Sequence, residues 1–320
     1  MKDGALPDQH LQPGTSNSAE RKLGLDDLPT EIIELICPLI LRTRASRPER
    51  QAWHRLHKFP LDGRPCAQSI ANLVAASRRY RDIALPFLYS RWACHSNKMG
   101  RPIDFVRTLC DNPALGLLVV EVVFQSGPTD IGDTPSLTSE EDGIFHDTAL
   151  RLLPSLYPLD PIDKGDYDIR PWVNRQLLPL IFLLAPNLKR LSICVTDEDL
   201  GAITGSDKHQ LPPLLTSVVH IEIFNLGSVW DSSYRIATIP RGEGSTIIRP
   251  LILISPALKT LTIRNKCLLG RKPEFKFTVD FLIELQLGDV LVSGRSLKWI
   301  LRACKALEVF SVHSFPYPED

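Results

Sequence analysis

Four short stretches of the 320-residue chain gather side chains able to do chemistry. In HRLHK (54–58), His54 and His57 lie three apart, with Cys66 nine positions further on. Zinc is held by four Cys, His or carboxylate ligands, and no second cysteine or carboxylate stands at ligand spacing here. The stretch reads as a solvated basic loop. RGEGST (241–246) has the glycines of a phosphate loop, but serine follows Gly244 where a Walker loop needs lysine. It reads as a turn. EED (140–142) and DKGDYD (163–168) carry carboxylates, but no glycine and distal glutamate stand in the fixed register of a calcium loop, so they read as solvated acidic runs. Serines and cysteines occur without a Gly-x-Ser-x-Gly elbow or a Cys/His framework. The chain shows no catalytic, metal or cofactor motif and reads as a non-enzyme.

Bulk composition narrows the classes further. Lys plus Arg and Asp plus Glu number 37 each, so the formal net charge is zero, and nothing global points to nucleic acid or a membrane surface. RRYR (78–81) is one short basic run, thin support for a nucleic-acid binder. No window approaches the ~18 uncharged apolar residues of a membrane span. Residues 1–24 lack the apolar core of a signal peptide and read as a disordered leader. Seven cysteines, scattered and odd in number, fit reduced thiols and a cytoplasmic or nuclear location.

Local charge is uneven. Residues 42–81 hold ten Lys/Arg against two Asp/Glu, a net of +8. Residues 126–168 hold ten Asp/Glu against two Lys/Arg, a net of −8, with five prolines and four glycines. The first contains a basic loop at 42–67. The second reads as a partly disordered insertion.

Those stretches sit between elements with clear periodicity. In LDDLPTEIIELI (25–36), Pro29 suits the first position of a helix and Glu31 the first turn. Ile32, Ile36 and Leu39 form one helical stripe, Ile33 and Ile40 another, and Pro38 is expected to end the helix near Cys37. About two turns are unstable alone in water. One stripe is expected to pack on Ile70, Leu73, Val74, Ile83 and Leu85 of one or two helices spanning 68–85, which Pro86 should end. Leu28, Pro29 and the other stripe are left for a partner, since exposed apolar patches mark interaction sites.

From about residue 100 the texture changes to a repeat. The spacing apolar-x-x-apolar-x-apolar starts at residues 119, 188, 218, 258, 282 and 307. NPAL (112–115), APNL (185–188) and SPAL (255–258) introduce strands, and helix-like stretches such as 104–111, 175–184 and 296–304 precede several of them. Each unit reads as helix, turn, strand, and such units bury their apolar faces by stacking. The interval of 40 between the starts at 218 and 258 holds a looped-out excursion at 230–250.

LPTEIIELI with LVAASRRYRDIALPFLYSRW (73–92) resembles an F-box. The matching positions are Leu28, Pro29, Glu31 and Ile32, then Leu73, Val74, Ser77, Tyr80, Ile83 and Ala84. The remainder is similar to F-box proteins with degenerate leucine-rich repeats, although the usual Asn or Cys positions read Thr196, Leu226, Lys266, Val290 and Phe315. The resemblance implies a small all-α F-box module (25–95, with the basic insertion at 42–67) followed by an irregular leucine-rich-repeat-like α/β solenoid (100–320). It implies an adaptor of a Skp–cullin–F-box ubiquitin ligase. Leu28, Pro29, Glu31, Ile32, Ile36, Leu73, Val74, Ser77 and Tyr80 would dock on a Skp-type adaptor, and the repeats would hold an unknown protein substrate. The alternatives are a scaffold outside a cullin ligase and, more remotely, an enzyme or nucleic-acid binder.

Overall fold

The computed structural model describes residues 24–42, 64–95, 100–125, 139–152, 177–195, 214–225, 252, 254–264, 268–269, 279–288, 291–292 and 294–313. The leader up to residue 23, the His54/His57 loop, the carboxylates at 163–168, the excursion at 230–250 and the positions expected to carry an Asn ladder lie outside these residues.

A single 3-10 turn, Leu25–Asp27, leads into α1 (Thr30–Arg42). The Pro29 carbonyl accepts from the amides of Ile32 and Ile33, at 3.1 and 3.3 Å. Proline therefore stands just before the helix rather than at its first position. Helix α1 also runs through Pro38, where the sequence predicts a stop. A proline in a helix interior frees the carbonyl four residues back at a cost of roughly 3 kcal/mol. Here that carbonyl belongs to exposed Glu34, on the water side, while Ile33 and Cys37 hold the opposite side in the core.

Helices α2 (Arg64–Ala76) and α3 (Arg78–Ser90) complete a three-helix module. Ser77 separates them. Its backbone is extended, and its hydroxyl accepts from the Tyr80 amide at 3.2 Å, capping α3. Pro86 does not end α3 either; the freed carbonyl is that of exposed Asp82. Ile33, Cys37, Ile70, Tyr80 and Ala84 form the buried centre, with Leu28, Ile40, Leu73, Val74 and Ile83 packed around it.

The second part is α/β. Seven strands, β1 (Arg91–His95), β2 (Glu121–Gln125), β3 (Arg190–Val195), β4 (His220–Asn225), β5 (Thr260–Arg264), β7 (Glu284–Gly288) and β9 (Val309–His313), form one parallel sheet in chain order. The short β6 (Leu268–Leu269) and β8 (Leu291–Val292) pair separately. Parallel neighbours need crossovers. Those described include α4 (Gly100–Asp111), the one-turn α5 (Pro113–Gly116), α6 (Ser139–Leu152), α7 (Leu178–Leu184) and α8 (Gly294–Ala303).

The register lines up the repeat. Val122, Leu191, Ile221, Leu261, Leu285 and Phe310 stand side by side across the sheet, as do Phe124, Ile193, Ile223, Ile263, Leu287 and Val312. Five of the six motif starts, Val119, Leu188, Val218, Leu258 and Leu282, are at most 2% exposed, and the sixth, Leu307, is partly buried against the same core. One continuous core results, because each strand alone has apolar residues on only one side and buries them against the next layer.

The acidic segment 126–168 contains an element the sequence reading leaves out. Helix α6 lies within it and turns Phe145 and Thr148 inward, touching α4 and α7. Its carboxylates conceal a helix whose buried side carries few large apolar residues. Where α5 meets α7, a Cβ on Gly116 would lie 1.9 Å from the Leu184 carbonyl oxygen, so only glycine permits that approach. Asn187, from APNL, donates to the Leu117 carbonyl at 2.8 Å and ties one layer to the previous one.

Candidate functional site

Two surfaces concentrate groups beyond what packing requires. The first is the outer side of α1. Its inner stripe is Ile33, Cys37 and Ile40, the first two at 2% and 0% exposure. The outer stripe is Ile32, Leu35 and Leu39 at 40, 63 and 57%. Positions i, i+3 and i+7 share a helix side, so the three make one exposed apolar ridge. Ile36 sits half-buried at its border. Leu35, absent from the expected stripe, is the most exposed of the three, and its spacing from Ile32 is the signal that could have found it.

The ridge begins at a turn locked in place from α3. Arg79 donates from Nη1 to the Asp26 carbonyl at 2.8 Å and from Nη2 to the Leu28 carbonyl. The Tyr80 hydroxyl donates to Asp26 Oδ1. This bond, with burial and the Asp26 and Asp27 charges, pushes the Tyr80 phenol above its ordinary value against the opposing effect of Arg79. Gly24 and Asp27 close the turn, the glycine amide donating to the Asp27 carboxylate at 2.9 Å and the Asp27 amide to the glycine carbonyl at 3.1 Å.

The residues singled out from sequence therefore divide. Pro29, Glu31 and Ile32 lie on the exposed side. Leu28, Leu73 and Val74 are half-buried against the helical core, Ser77 caps α3, and Tyr80 is only 5% exposed. Ser77, half-buried, and Tyr80 build the module, and Tyr80 also positions its first turn. Asp26 and Arg79, which hold that turn, were not singled out. Polar contacts between residues some 50 positions apart leave no periodic trace.

The second surface is the side of the sheet facing away from the helices. The register sets Arg91, Glu121, Arg190, His220, Thr260 and Glu284 in one row, and Ala93, Val123, Ser192, Glu222, Thr262 and Gln286 in the next. Arg91 bridges Glu121 at 3.4 Å. Ser192 donates to Glu222 at 3.4 Å, while Thr260 and Gln286 donate to the two oxygens of Glu284 at 3.3 and 2.6 Å. Burial, aided by Arg190, lowers the pKa of His220 against the pull of Glu222, Glu284 and Glu121. No family model matches the chain, and no curated protein matches it. Among the described residues no three or more His, Cys, Asp or Glu are placed to share a metal ion, and no helix is long and apolar enough to cross a membrane.

The two surfaces are joined without a linker. Arg91 of β1 directly follows Ser90, the last residue of α3, and the Ser90 carbonyl accepts from the Val120 amide at 2.9 Å. Leu85, Tyr89 and Trp92 pack against the sheet's core, and Trp92 stacks on Phe105 with ring centroids 4.5 Å apart.

Proposed function

We propose that this chain is a protein-recognition adaptor, in which an F-box-like module docks through the α1 ridge on a Skp-type adaptor of a cullin ubiquitin ligase. The repeat-like α/β part holds the protein to be modified, and catalysis belongs to other subunits. The observation that carries the reading is the two-sidedness of α1. Its inner stripe satisfies the module's own core, and a second apolar stripe remains in water beside Pro29 and Glu31. Chain-ordered parallel strands with two apolar ladders in register support the solenoid reading of the larger part.

The test uses purified full-length chain and a purified Skp-type adaptor in titration calorimetry. Wild type is expected to bind. Ile32→Ser/Leu35→Ser/Leu39→Ser is expected to abolish binding with an unchanged melting temperature. Absence of binding by the wild type, or undiminished binding by the triple variant, overturns the proposal. Co-purification of a cullin separates ligase membership from a scaffold role.

A further inference from the structure

Successive layers of the sheet are joined through one repeated backbone contact. The carbonyls of Val120, Lys189, Val219, Lys259 and Ile283 each accept from two consecutive amides at the start of the following strand, at 2.8 to 3.1 Å. In the last layer those two amides belong to Glu308 and Val309, so the Glu308 carbonyl is the next in the series. Among the described residues nothing donates to it. Strand β9 pairs with β7 on one side only. Backbone groups alternate sides along a strand. With the Val309 amide turned to β7, the amides and carbonyls of Phe310 and Val312 face the open edge.

The apolar ladders stop at the same edge. In β2, β3, β4, β5 and β7 the ladder residues are at most 3% exposed, whereas Phe310 and Val312 are only half-buried. Val309 is 49% exposed, and Leu301 of α8, the helix of this layer, 42%. Repeat layers bury their apolar residues by stacking on a further one, and an open row of amides and carbonyls is a template for an added strand. Charge narrows what would add. Lys298, Arg302 and Lys305 are exposed on this layer, against one exposed carboxylate among its described residues, Glu308. Arg302 lies in the last turn of α8 and Lys305 in the connection to β9. Both cations therefore stand near the end at which a parallel strand would begin.

From the Glu308 carbonyl, the ladder ends and the basic rim, we infer that the β9 edge is a docking surface for an extended segment of the target protein. The segment adds a parallel strand and repeats the spacing apolar-x-x-apolar-x-apolar of the layers before it. It carries Asp or Glu just N-terminal to those residues, opposite Arg302 and Lys305. The inference rests on the adaptor reading and supplies the class of target.

Three fluorescein-labelled peptides probe the edge by fluorescence anisotropy with the full chain. EDLTTVTVG is expected to bind. EDLTTVPVG lacks the amide that would donate to the Phe310 carbonyl and should bind about threefold or more weaker, the scale of one lost backbone hydrogen bond. KKLTTVTVG should also bind more weakly than EDLTTVTVG. Val312→Pro removes an edge amide and keeps those paired with β7, so it should weaken EDLTTVTVG by a similar factor at an unchanged melting temperature. Arg302→Glu/Lys305→Glu should strengthen KKLTTVTVG about threefold, a gain that misfolding cannot mimic. No binding of EDLTTVTVG, equal binding of the proline peptide, or no gain from the charge reversal overturns the inference. A dimer seen by light scattering and dissociated by Val312→Pro overturns it in favour of a second copy. Peptide binding that requires deletion of residues 314–320 overturns it in favour of those residues as the occupant. The peptide assay needs no Skp-type adaptor, so failure here with intact adaptor binding removes the target class alone. Loss of adaptor binding with intact peptide binding removes the adaptor reading alone.

Discussion

The Tyr80 hydroxyl and the Asp26 carboxylate, 54 positions apart, share the hydrogen bond that fixes where the exposed ridge of α1 begins. Arg79 adds two contacts to the same turn. Tyr80→Phe keeps the buried ring and removes only the donor. Adaptor binding by calorimetry is expected to weaken in Tyr80→Phe, and more in Arg79→Ala, while α1 retains its helicity by circular dichroism. Because the raised Tyr80 pKa reflects the neutral donor, this contribution is fully present below the ordinary tyrosine value. It is lost as pH rises through the higher folded-state value. A melting series from neutral to strongly alkaline pH should show a fall that Tyr80→Phe lacks.

Ile33 and Leu35 test the sidedness of α1 separately. Ile33→Ala removes a side chain 2% exposed and should cost about 2–5 kcal/mol in denaturant unfolding. Leu35→Ser, at 63% exposure, should change stability by less than about 0.5 kcal/mol while weakening adaptor binding. The reverse pattern would mean that the helix is turned the other way.

Gly116 sets the approach of α5 to α7. Gly116→Ala would push a methyl group into the Leu184 carbonyl and should cost about 1–3 kcal/mol or more, read as a lowered denaturant midpoint. Ser255, fully buried and with no hydroxyl partner among the described residues, predicts the opposite sign. The corresponding residues before Leu188 and Leu307 are Ala185 and Cys304, which pack without a hydroxyl to satisfy. Ser255→Ala should be neutral or stabilising by about 1 kcal/mol.

His220 makes the sheet sensitive to acid. Its folded-state pKa lies below the ordinary histidine value because burial, with Arg190 of β3, disfavours the charged ring. Glu121 of β2, Glu222 on its own strand and Glu284 of β7 pull the other way. The unfolded chain therefore takes up the proton first. Stability is full above about pH 6.5 and falls as pH drops through the lower folded value. His220→Gln should flatten this part of the stability profile between pH 7 and 5. A thermal-melt series checks it.

Much of the architecture was legible because it is periodic. The repeat spacing predicts the two apolar ladders in register, from Val122 and Phe124 to Phe310 and Val312, since alternation along a strand leaves a pattern in one dimension. The same logic separated Ile33 and Ile40 from Ile32, Ile36 and Leu39 as two stripes of α1, without saying which packs inward. Pro38 and Pro86 misled, because a stop signal weighs the missing amide against local energetics alone. Packing on the far side of each helix carries the chain through. Helix α6 was hidden by carboxylates whose solvent side dominates its composition.

The sequence alone determined the six strands that carry the repeat spacing, β2 to β5, β7 and β9, and the two-faced character of α1, because hydrophobic periodicity is a local property; β1, inside the stretch 25–95 read as all-α, and the short β6 and β8 were missed. Tertiary structure decided which stripe of α1 stays in water, which residues hold the Asp26–Leu28 turn, and how charge divides along the outer sheet. Those depend on contacts between residues tens of positions apart, such as Tyr80 with Asp26 and Ser192 with Glu222, and no local spacing encodes which polar group will meet which.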